Sequence, residues 1–498
     1  MRTLKQLIKF FKAEKNIADL YFPQDKDPVF EYLESDSRKV GSKDIFVALC
    51  GLHQDGRNFI KKAQEQGASA YIYREEPSAE QLDGVSIPGF KLPEKCSLAH
   101  LASWFYEAPS KRLKLVGITG TNGKSTVTWM ISQLLNSLGC RCAVIGTLGT
   151  GFLPHLEKSS NTTPDALALQ RTLYDLVKHG ARYAAMEVSS IGIDQGRVDE
   201  CEFAAVAFTN LTRDHLDYHK NMENYYQAKK RLFSGNEPMA INADDEYGCR
   251  LINEIQSRDV LTYSVEKNGN FRGGLSVEKV RFCRDGIDLK VKTPTDSGEC
   301  HLPLLGSFNV QNFACAMSVA LQLKMDFNAL LKAVSALRPV TGRMECFRSE
   351  GHPALVVDYA HTPDGVEQVL RAAREHHPQG RIFVVLGCGG DRDRGKRPIM
   401  AIKASVFADE AVFTSDNPRS EDPEEILHDM QLGVTQASNC VFITDREKAI
   451  RYAFDKAGKD DCVVIAGKGH EDYQIFKDKT VHFSDREIAA KLCGVNLD

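Results

Sequence analysis

The sequence predicts an α/β protein of three domains built on parallel sheets with helices on both faces. Three observations carry that expectation. The chain has 498 residues, too many for one hydrophobic core and suited to about three domains at roughly 150 residues each. Apolar strand-like runs alternate with helical patterns through its middle and end, the order that gives a parallel sheet covered on both faces. A glycine-bearing loop also joins one such strand to one such helix. Leu113 to Ile118 is a short apolar run, and Gly120-Thr121-Asn122-Gly123-Lys124-Ser125-Thr126 is the loop. Val127, Met130, Ile131, Leu134 and Leu138 then recur at the spacing of one helix face.

Composition narrows the function. The chain is 42% hydrophobic and 26% charged, ordinary for a soluble globular protein. A net charge of −4 gives no general reason to bind nucleic acid or an anionic membrane. No apolar run approaches the roughly 20 residues of a spanning helix. Lysines interrupt the amphipathic opening from Met1 to Phe10, so the expected location is the cytoplasm, without membrane insertion or a nucleic-acid partner. A monomer is expected. The 14 cysteines are scattered and none forms C-x-x-C, which suits reduced, structural thiols.

Taken in order, residues 1–110 mix short strands and loops. A strand is expected over 44–49, a helix over 59–66 and another strand over 68–73. The polar loops Ser35-Asp36-Ser37-Arg38 and Gly51 to Arg57 could hold a ligand or be solvated turns. Residues 111–339 alternate strand and helix. Strands are expected over 143–147, 184–188 and 204–209, and Thr163-Pro164 reads as a helix start, a hydroxyl cap followed by proline. Leu169, Leu173, Leu176 and Val177 give that helix its buried face. Binding loops in such sheets lie at the carboxyl ends of strands, so the loops after Ile118, Val188 and Thr209 should share one crevice. A more β-like stretch over 260–304 and a helix over 312–323 complete the block. Residues 340–498 alternate again, with strands over 354–358, 382–386, 411–414, 441–443 and 463–465.

Strand, glycine loop and helix with Lys-Ser at its start make a phosphate cradle: backbone N–H groups and Lys124 face the phosphates and the Ser125 hydroxyl can hold Mg²⁺. In the general spelling the first glycine falls at position 118, which is Ile, while Gly117 stands one place early. Glu187 ends an apolar strand, where a carboxylate needs a partner, either Mg²⁺ or a basic side chain. His215 and His219 share a face if their segment is helical. Without the Glu of H-E-x-x-H or a third ligand, zinc is disfavoured and a histidine beside phosphate or Mg²⁺ fits better. By pattern alone, Lys229 and Lys230 belong to a solvated helix face. Gly387 to Arg397, a glycine turn leading into three arginines and a lysine, suits an anionic group. Asp416-Asn417-Pro418-Arg419 offers Arg as a fork for a carboxylate and Asp for an ammonium, so it can hold a zwitterion. Gly467-Lys468-Gly469-His470-Glu471 ends another strand, and these three loops should converge at one mouth.

The loop Gly120 to Thr126 resembles the ATP loop of the Mur ligases and folylpolyglutamate synthetases, where the first glycine is displaced in this way. Met186-Glu187-Val188-Ser189-Ser190, Thr209-Asn210-Leu211 through His215-Leu216-Asp217, Asp416 to Arg419 and Gly467 to Glu471 follow in the family's order. The resemblance spans nearly the whole chain and identifies it as a member of the Mur ligase family. It implies three domains: 1–110 for a UDP sugar, 111–339 for ATP and 340–498, Rossmann-like, for an incoming amino acid. The implied reaction adds meso-diaminopimelate to UDP-MurNAc-L-Ala-D-Glu through an acyl phosphate, with ATP as co-substrate and Mg²⁺ as cofactor. Lysine is the alternative amino acid; a folylpolyglutamate synthetase or a nucleotide-switched interaction protein are the remoter readings. By position, Ser35, Ser37, Leu52, His53 and Gln54 would contact the uridine end, and Asn161, Thr162, Thr163, Ser189, Gln195 and Arg197 the muramoyl-dipeptide. Gly120, Thr121, Asn122, Gly123, Lys124, Ser125 and Thr126 would take the ATP phosphates, and Asn309, Arg343 and Asp358 the adenosine side. Ser125, Glu187, His215 and Lys229, the last as a carbamate, would lie at the metal, with Lys124, Lys229, Glu187 and His215 catalytic. Arg392, Asp416, Asn417, Pro418, Arg419, Gly467 and Glu471 would grip diaminopimelate. Arg419 carries the choice over lysine, because lysine-adding relatives lack it.

Overall fold

The computed structural model describes residues 1–12, 27–51, 54–159, 161–255, 259–266, 273–435 and 438–497. Their contacts form two units, residues 1–261 with 322–324, and residues 262–321 with 325–498.

The first unit opens with a four-stranded parallel sheet, Leu33–Glu34, Ile45–Val47, Ala70–Tyr73 and Gly89–Lys91, in that order. Successive strand side chains alternate between faces. Ile45, Val47, Ala70, Ile72 and Phe90 pack with Leu4, Leu7 and Phe11 of the first helix and with Leu101, Ala102 and Phe105. Phe46 and Tyr71 turn the other way, against Ile60 and Ala63. The helix expected over 59–66 is entered by a 3-10 turn, Gly56–Phe59, and is α-helical over Ile60–Gln66.

Its larger sheet runs His155–Glu157, Gly149–Phe152, Cys142–Gly146, Tyr183–Glu187, Lys114–Thr119, Phe203–Phe208, Met239–Asn242. The last five strands are parallel; the first two form an antiparallel hairpin on the edge. Being covered on both faces, the central strands are continuous apolar runs, which is why they were legible as strands. In register, Glu187 pairs with Ile118 and Phe208 with Thr119, so three carboxyl ends lie level and adjacent. Helix Ala166–Lys178 packs Leu169, Leu173 and Leu176 on this sheet. Its cap is Asp165, whose carboxylate accepts from the N–H groups of Leu167 and Ala168, and not Thr163 as the sequence suggested. An ionised cap suits the helix dipole, and Thr163 is used elsewhere.

In the second unit, Leu275–Cys283, Gly286–Lys292 and Ser297–Leu302 form an antiparallel meander. Helix Phe308–Gln322 follows, starting one turn before the expected 312. A six-stranded sheet, Glu345–Phe347, Ala354–Asp358, Cys462–Ala466, Ile382–Cys388, Glu410–Ser415, Cys440–Phe442, is parallel except for its first edge strand. Helices Pro363–His376, Lys396–Phe407 and Pro423–Gln431 cover one face; Arg446–Lys456 and Asp485–Cys493 cover the other. All five expected strands are present. His377 is buried at the end of its helix, with Nδ1 3.1 Å from the Asp460 carbonyl, and accepts from Arg348 Nη2 at 3.3 Å. Burial pushes its pKa down to about 4.

The described residues include all fourteen cysteines, and none of them is in a disulfide. Among the described residues no helix is long and apolar enough to cross a membrane.

Candidate nucleotide and amino-acid sites

The phosphate loop leaves strand Lys114–Thr119 and enters helix Lys124–Ser137. Gly120 has φ +152°, and a Cβ there would lie 1.8 Å from Thr209 Oγ1; no larger residue fits beside the neighbouring strand end. The two loops are stitched together. Thr121 N donates to Asn210 O at 2.9 Å, Asn122 N to Asn210 Oδ1 at 2.9 Å, and Thr209 Oγ1 to Asn122 O at 2.7 Å. Lys124 Nζ donates to the loop's own carbonyls, Gly120 O at 2.9 Å and Thr121 O at 2.8 Å. Burial depresses its pKa.

Ser125 Oγ donates to Glu187 Oε1 at 2.9 Å, joining the loop to the adjacent strand end. Glu187 is buried and also accepts from Thr147 N at 2.9 Å and Thr147 Oγ1 at 3.2 Å. Among the described residues its hydrogen bonds come from neutral donors, not from a lysine or arginine. A hydroxyl and a carboxylate in contact are the oxygen donors a hard cation takes. Among the described residues no group of three or more His, Cys, Asp or Glu gathers to hold a metal. Ser125 and Glu187 together are a donor pair that would suit Mg²⁺.

Lys229 contradicts the solvated-face reading: it is 1% exposed. Its Nζ donates to Gly120 O at 2.8 Å and Thr119 Oγ1 at 3.4 Å and lies 4.8 Å from the Tyr225 ring centre. Burial, then the nearby Lys124 charge, hold its pKa well below the lysine value. Lys230 points outward and pairs with Glu254 at 2.8 Å. The shared histidine face does not form. His215 is exposed and left-handed, φ 52°, capping the short helix Leu216–His219. His219 is buried with Nε2 2.9 Å from Ser190 Oγ. Tyr225 links the group: it stacks on His219, meets the His215 ring edge-on, and its hydroxyl is 3.2 Å from Thr121 Oγ1.

Most residues expected at the dipeptide converge beside Glu187. Thr162 Oγ1 lies 3.0 Å from Thr147 Oγ1. Thr163 Oγ1 donates to Glu187 O at 3.0 Å and accepts from Ser189 N at 2.9 Å. Arg197 Nη1 donates to Thr163 O at 2.6 Å, and its Nε and Nη2 to Gln195 Oε1 at 3.0 and 2.6 Å. Asn161 is exposed in the same loop. Ser35 is exposed and Ser37 buried in the turn after strand Leu33–Glu34, and Gln54 is exposed; Leu52 and His53 lie outside the described residues.

In the second unit, Asp358 is buried and accepts from Met344 N and Ala360 N, each at 2.8 Å; burial raises its pKa. The Arg343 guanidinium lies 4.7 Å from the Tyr359 ring centre. Asn309, buried, donates to Leu305 O at 2.7 Å and accepts from Asn312 Nδ2 at 3.1 Å. Gly342, at φ +68°, has no space for a side chain: a Cβ would fall 2.2 Å from His470 N and 2.3 Å from Gly469 C.

The three loops of the second unit do converge. Asn417 Nδ2 donates to Glu471 Oε2 at 2.9 Å, and Asn417 Oδ1 accepts from Ile475 N at 3.0 Å and Lys468 Nζ at 3.2 Å. Arg419, at φ 53°, donates from Nη1 to Gly390 O at 2.9 Å and Asn417 O at 3.3 Å. Gly389 lies between the side chains of two arginines: a Cβ there would sit 2.9 Å from Arg419 Nη1 and 3.7 Å from Arg392 Cγ. Arg392 is exposed; Asp416 and Pro418 are buried, and Gly467 has φ +118°. The reading of three arginines awaiting an anion needs correction. Arg397 is wholly buried between Glu421 and Asp429, and Arg394 pairs with Asp429 at 3.0 Å, so of the three only Arg392 faces outward without a carboxylate partner among the described residues. Sequence reasoning missed Thr147, Tyr225, Lys468 and the buried Arg446 and Asp485. Only Lys468 had a local signal, its place inside Gly467 to Glu471.

Three family models match the chain in order: "Mur ligase family, catalytic domain" over residues 30–100, "Mur ligase middle domain" over 118–320 and "Mur ligase, glutamate ligase domain" over 342–469. The chain is 45% identical over 482 residues to a UDP-N-acetylmuramoyl-L-alanyl-D-glutamate–2,6-diaminopimelate ligase of Vibrio vulnificus, covering 95% of this chain and 96% of that one. It is 43% identical over 477 residues to the ligase of the same name from Pseudomonas aeruginosa, covering 94% and 96%. A solved structure of a ligase with that name superposes with TM-score 0.72 at 36% identity, covering 96% of this chain and 98% of the other. A folylpolyglutamate synthase from Thermotoga maritima, at 14% identity and TM-score 0.59 over 76% of this chain and 91% of its own, shares the fold alone.

Proposed function

Because the chain belongs to the Mur ligase family, we propose that it joins meso-diaminopimelate to UDP-N-acetylmuramoyl-L-alanyl-D-glutamate, converting ATP to ADP and phosphate. It is an ATP-dependent acid–amino-acid ligase of peptidoglycan synthesis, and its reaction belongs in the cytoplasm. One observation carries the reading beyond nucleotide binding. A phosphate loop alone would suit many enzymes, but this chain also builds a mouth where Asp416, Asn417, Arg419 and Glu471 gather, the charges a zwitterion with a second carboxylate needs.

In the proposed reaction the γ-phosphate passes to the D-glutamate side-chain carboxylate. The amine then attacks the acyl carbon, a tetrahedral intermediate forms and loses a proton, and phosphate leaves as the amide closes. The chain's own work is positioning and charge neutralisation. The amides of residues 120–126 and Lys124 take the phosphates, with Lys124 exchanging the carbonyls of Gly120 and Thr121 for phosphate oxygens. Ser125 and Glu187 would hold Mg²⁺, which supplies neutralisation of phosphate charge when bound, and His215 is assigned to the same side. Lys229, a buried amine with a depressed pKa, suits carbamylation: its neutral nitrogen bonds the carbon of CO₂, one proton is released from that nitrogen, and an uncharged amine becomes a carboxylate-like ligand.

Asn309, Arg343 and Asp358 are assigned to adenosine; Ser35, Ser37, Leu52, His53 and Gln54 to uridine; Asn161, Thr162, Thr163, Ser189, Gln195 and Arg197 to the muramoyl-dipeptide. Arg392, Asp416 through Arg419, Gly467 and Glu471 are assigned to diaminopimelate. The functional division is 1–110, 111–339 and 340–498. The test is ATP-dependent phosphate release with the UDP-linked dipeptide and diaminopimelate, lysine or no amino acid. Release with diaminopimelate well above both others is expected; equal use of lysine sinks the substrate assignment.

A further inference from the structure

Two wholly buried charges lie behind the amino-acid mouth, outside every residue assigned to a substrate. Arg446 is the first residue of helix Arg446–Lys456 and Asp485 the first of helix Asp485–Cys493; neither side chain has exposed surface. Arg446 Nε donates to Asp485 Oδ1 at 2.8 Å and Nη2 to Oδ2 at 2.7 Å, a fork on a carboxylate. The same guanidinium donates from Nη1 to Ser415 O at 3.3 Å and from Nη2 to Ala466 O at 3.0 Å. Ser415 and Ala466 end two strands of the sheet, and the next residues are Asp416 and Gly467. Asp416 Oδ2 stands 4.0 Å from Arg446 Nη1, near enough to feel the charge and too far for a hydrogen bond. Beside it Gly467 leaves room: a Cβ there would lie 2.8 Å from Asp416 Oδ2.

A buried ion pair is a poor device for stability, because apolar residues of similar volume often serve as well or better. This geometry gives the pair two other tasks. Arg446 pins the strand ends from which Asp416 and Gly467 project, and Asp485 satisfies the arginine that would otherwise close on Asp416. We propose that the Arg446–Asp485 pair is a positioning device for the amino-acid subsite, keeping the Asp416 carboxylate fixed and uncommitted for the ammonium group of the incoming amino acid. The proposal rests on the reading of Asp416 as a diaminopimelate contact. Arg446 and Asp485 act through Asp416 and Gly467, not on the substrate.

The test compares KM for each of the three substrates. Asp485→Asn leaves the Arg446 charge to Asp416. It should raise KM for diaminopimelate about tenfold to a hundredfold, with KM for ATP and for the UDP-linked dipeptide changed by less than about twofold. Arg446→Lys keeps the charge without the fork and should give a smaller rise with the same split. The paired change Arg446→Met with Asp485→Leu removes both charges, guarding against a variant that fails to fold, and should still raise the diaminopimelate KM through loss of the strand-end anchor. Asp416→Asn separates the two levels. No effect of that change on the diaminopimelate KM refutes the subsite assignment itself. A raised KM in Asp416→Asn, with Asp485→Asn and the paired variant unchanged, overturns the positioning role. A uniform rise in all three KM values with a lowered Tm also overturns it, since a purely structural pair would act that way.

Discussion

Replacing Arg419 by Ala isolates the group assigned to the second carboxylate of diaminopimelate. The residue is half-buried, and its backbone N–H donates to Ile475 O at 3.0 Å. Among the described residues its side-chain hydrogen bonds run from Nη1 alone, to Gly390 O and Asn417 O, which leaves Nε and Nη2 for a carboxylate fork. Two charge-assisted bonds at about 1.5–3 kcal/mol each give about 3–6 kcal/mol. That corresponds to roughly 10²- to 10⁴-fold in kcat/KM for diaminopimelate. Lysine, which has no second carboxylate, should lose no more than about tenfold. Loss of the bond to Gly390 O should cost about 1 kcal/mol of stability, while the positive φ is no worse for Ala than for Arg. Arg419→Lys restores charge without the fork and should fall between. Phosphate release and product mass, measured with each amino acid, give both specificity constants. If diaminopimelate and lysine fall equally, or diaminopimelate falls less than about threefold, the assignment is wrong.

Three further outcomes are expected. Glu187→Gln keeps acceptors or donors for Ser125 and Thr147 and should leave Tm nearly unchanged, while ligation falls at least about 10²-fold; near-normal turnover would remove Glu187 from the metal. Lys229→Met should abolish ligation without rescue by bicarbonate. In CO₂-free buffer it should also flatten stability against pH: unfolding lets the lysine take up a proton it lacks when folded, so wild-type stability rises with pH, by up to about 1.4 kcal/mol per unit, until the unfolded lysine value is passed. Denaturant midpoints from pH 7 to 10 would show no difference between the proteins if the amine were ordinarily charged. His377, with its folded pKa near 4 against an ordinary 6.5, contributes stability above pH 6.5 that is lost as pH falls from 6.5 to 4, about 3 kcal/mol in all. His377→Gln should flatten that acid limb, and an unchanged limb would contradict the buried neutral state.

The central strands of the two larger sheets were legible because burial on two faces makes each a continuous apolar run, and the phosphate loop because its chemistry is local in sequence; strand Met239–Asn242 and the antiparallel edge strands were not read. Lys229 was misread for a physical reason: Glu223, Gln227 and Lys230 around it are solvent-facing, and nothing in a helical pattern tells which single polar residue turns inward. Thr163 looked like a cap because hydroxyl-proline is a cap signal, but the Asp two positions on was the better anion for the helix. Thr147 lies 40 residues from Glu187 and Asp485 lies 39 from Arg446, and no spacing rule reaches that far. Arg397 resembled its exposed neighbours until Glu421 and Asp429 were folded around it.

Gly342 bears on how the second unit can move. With a Cβ excluded by the main chain of Gly469 and His470, the segment carrying Arg343 meets the loop from Gly467 to Glu471 backbone against backbone. Side-chain contacts have slack, because rotamers can follow a displacement; main-chain contacts have little. A shift of the loop from Gly467 to Glu471 should therefore carry the segment of Arg343 with it. Side-chain substitutions around it should leave that backbone contact intact. A side chain at position 342, or a change in loop length, would break it.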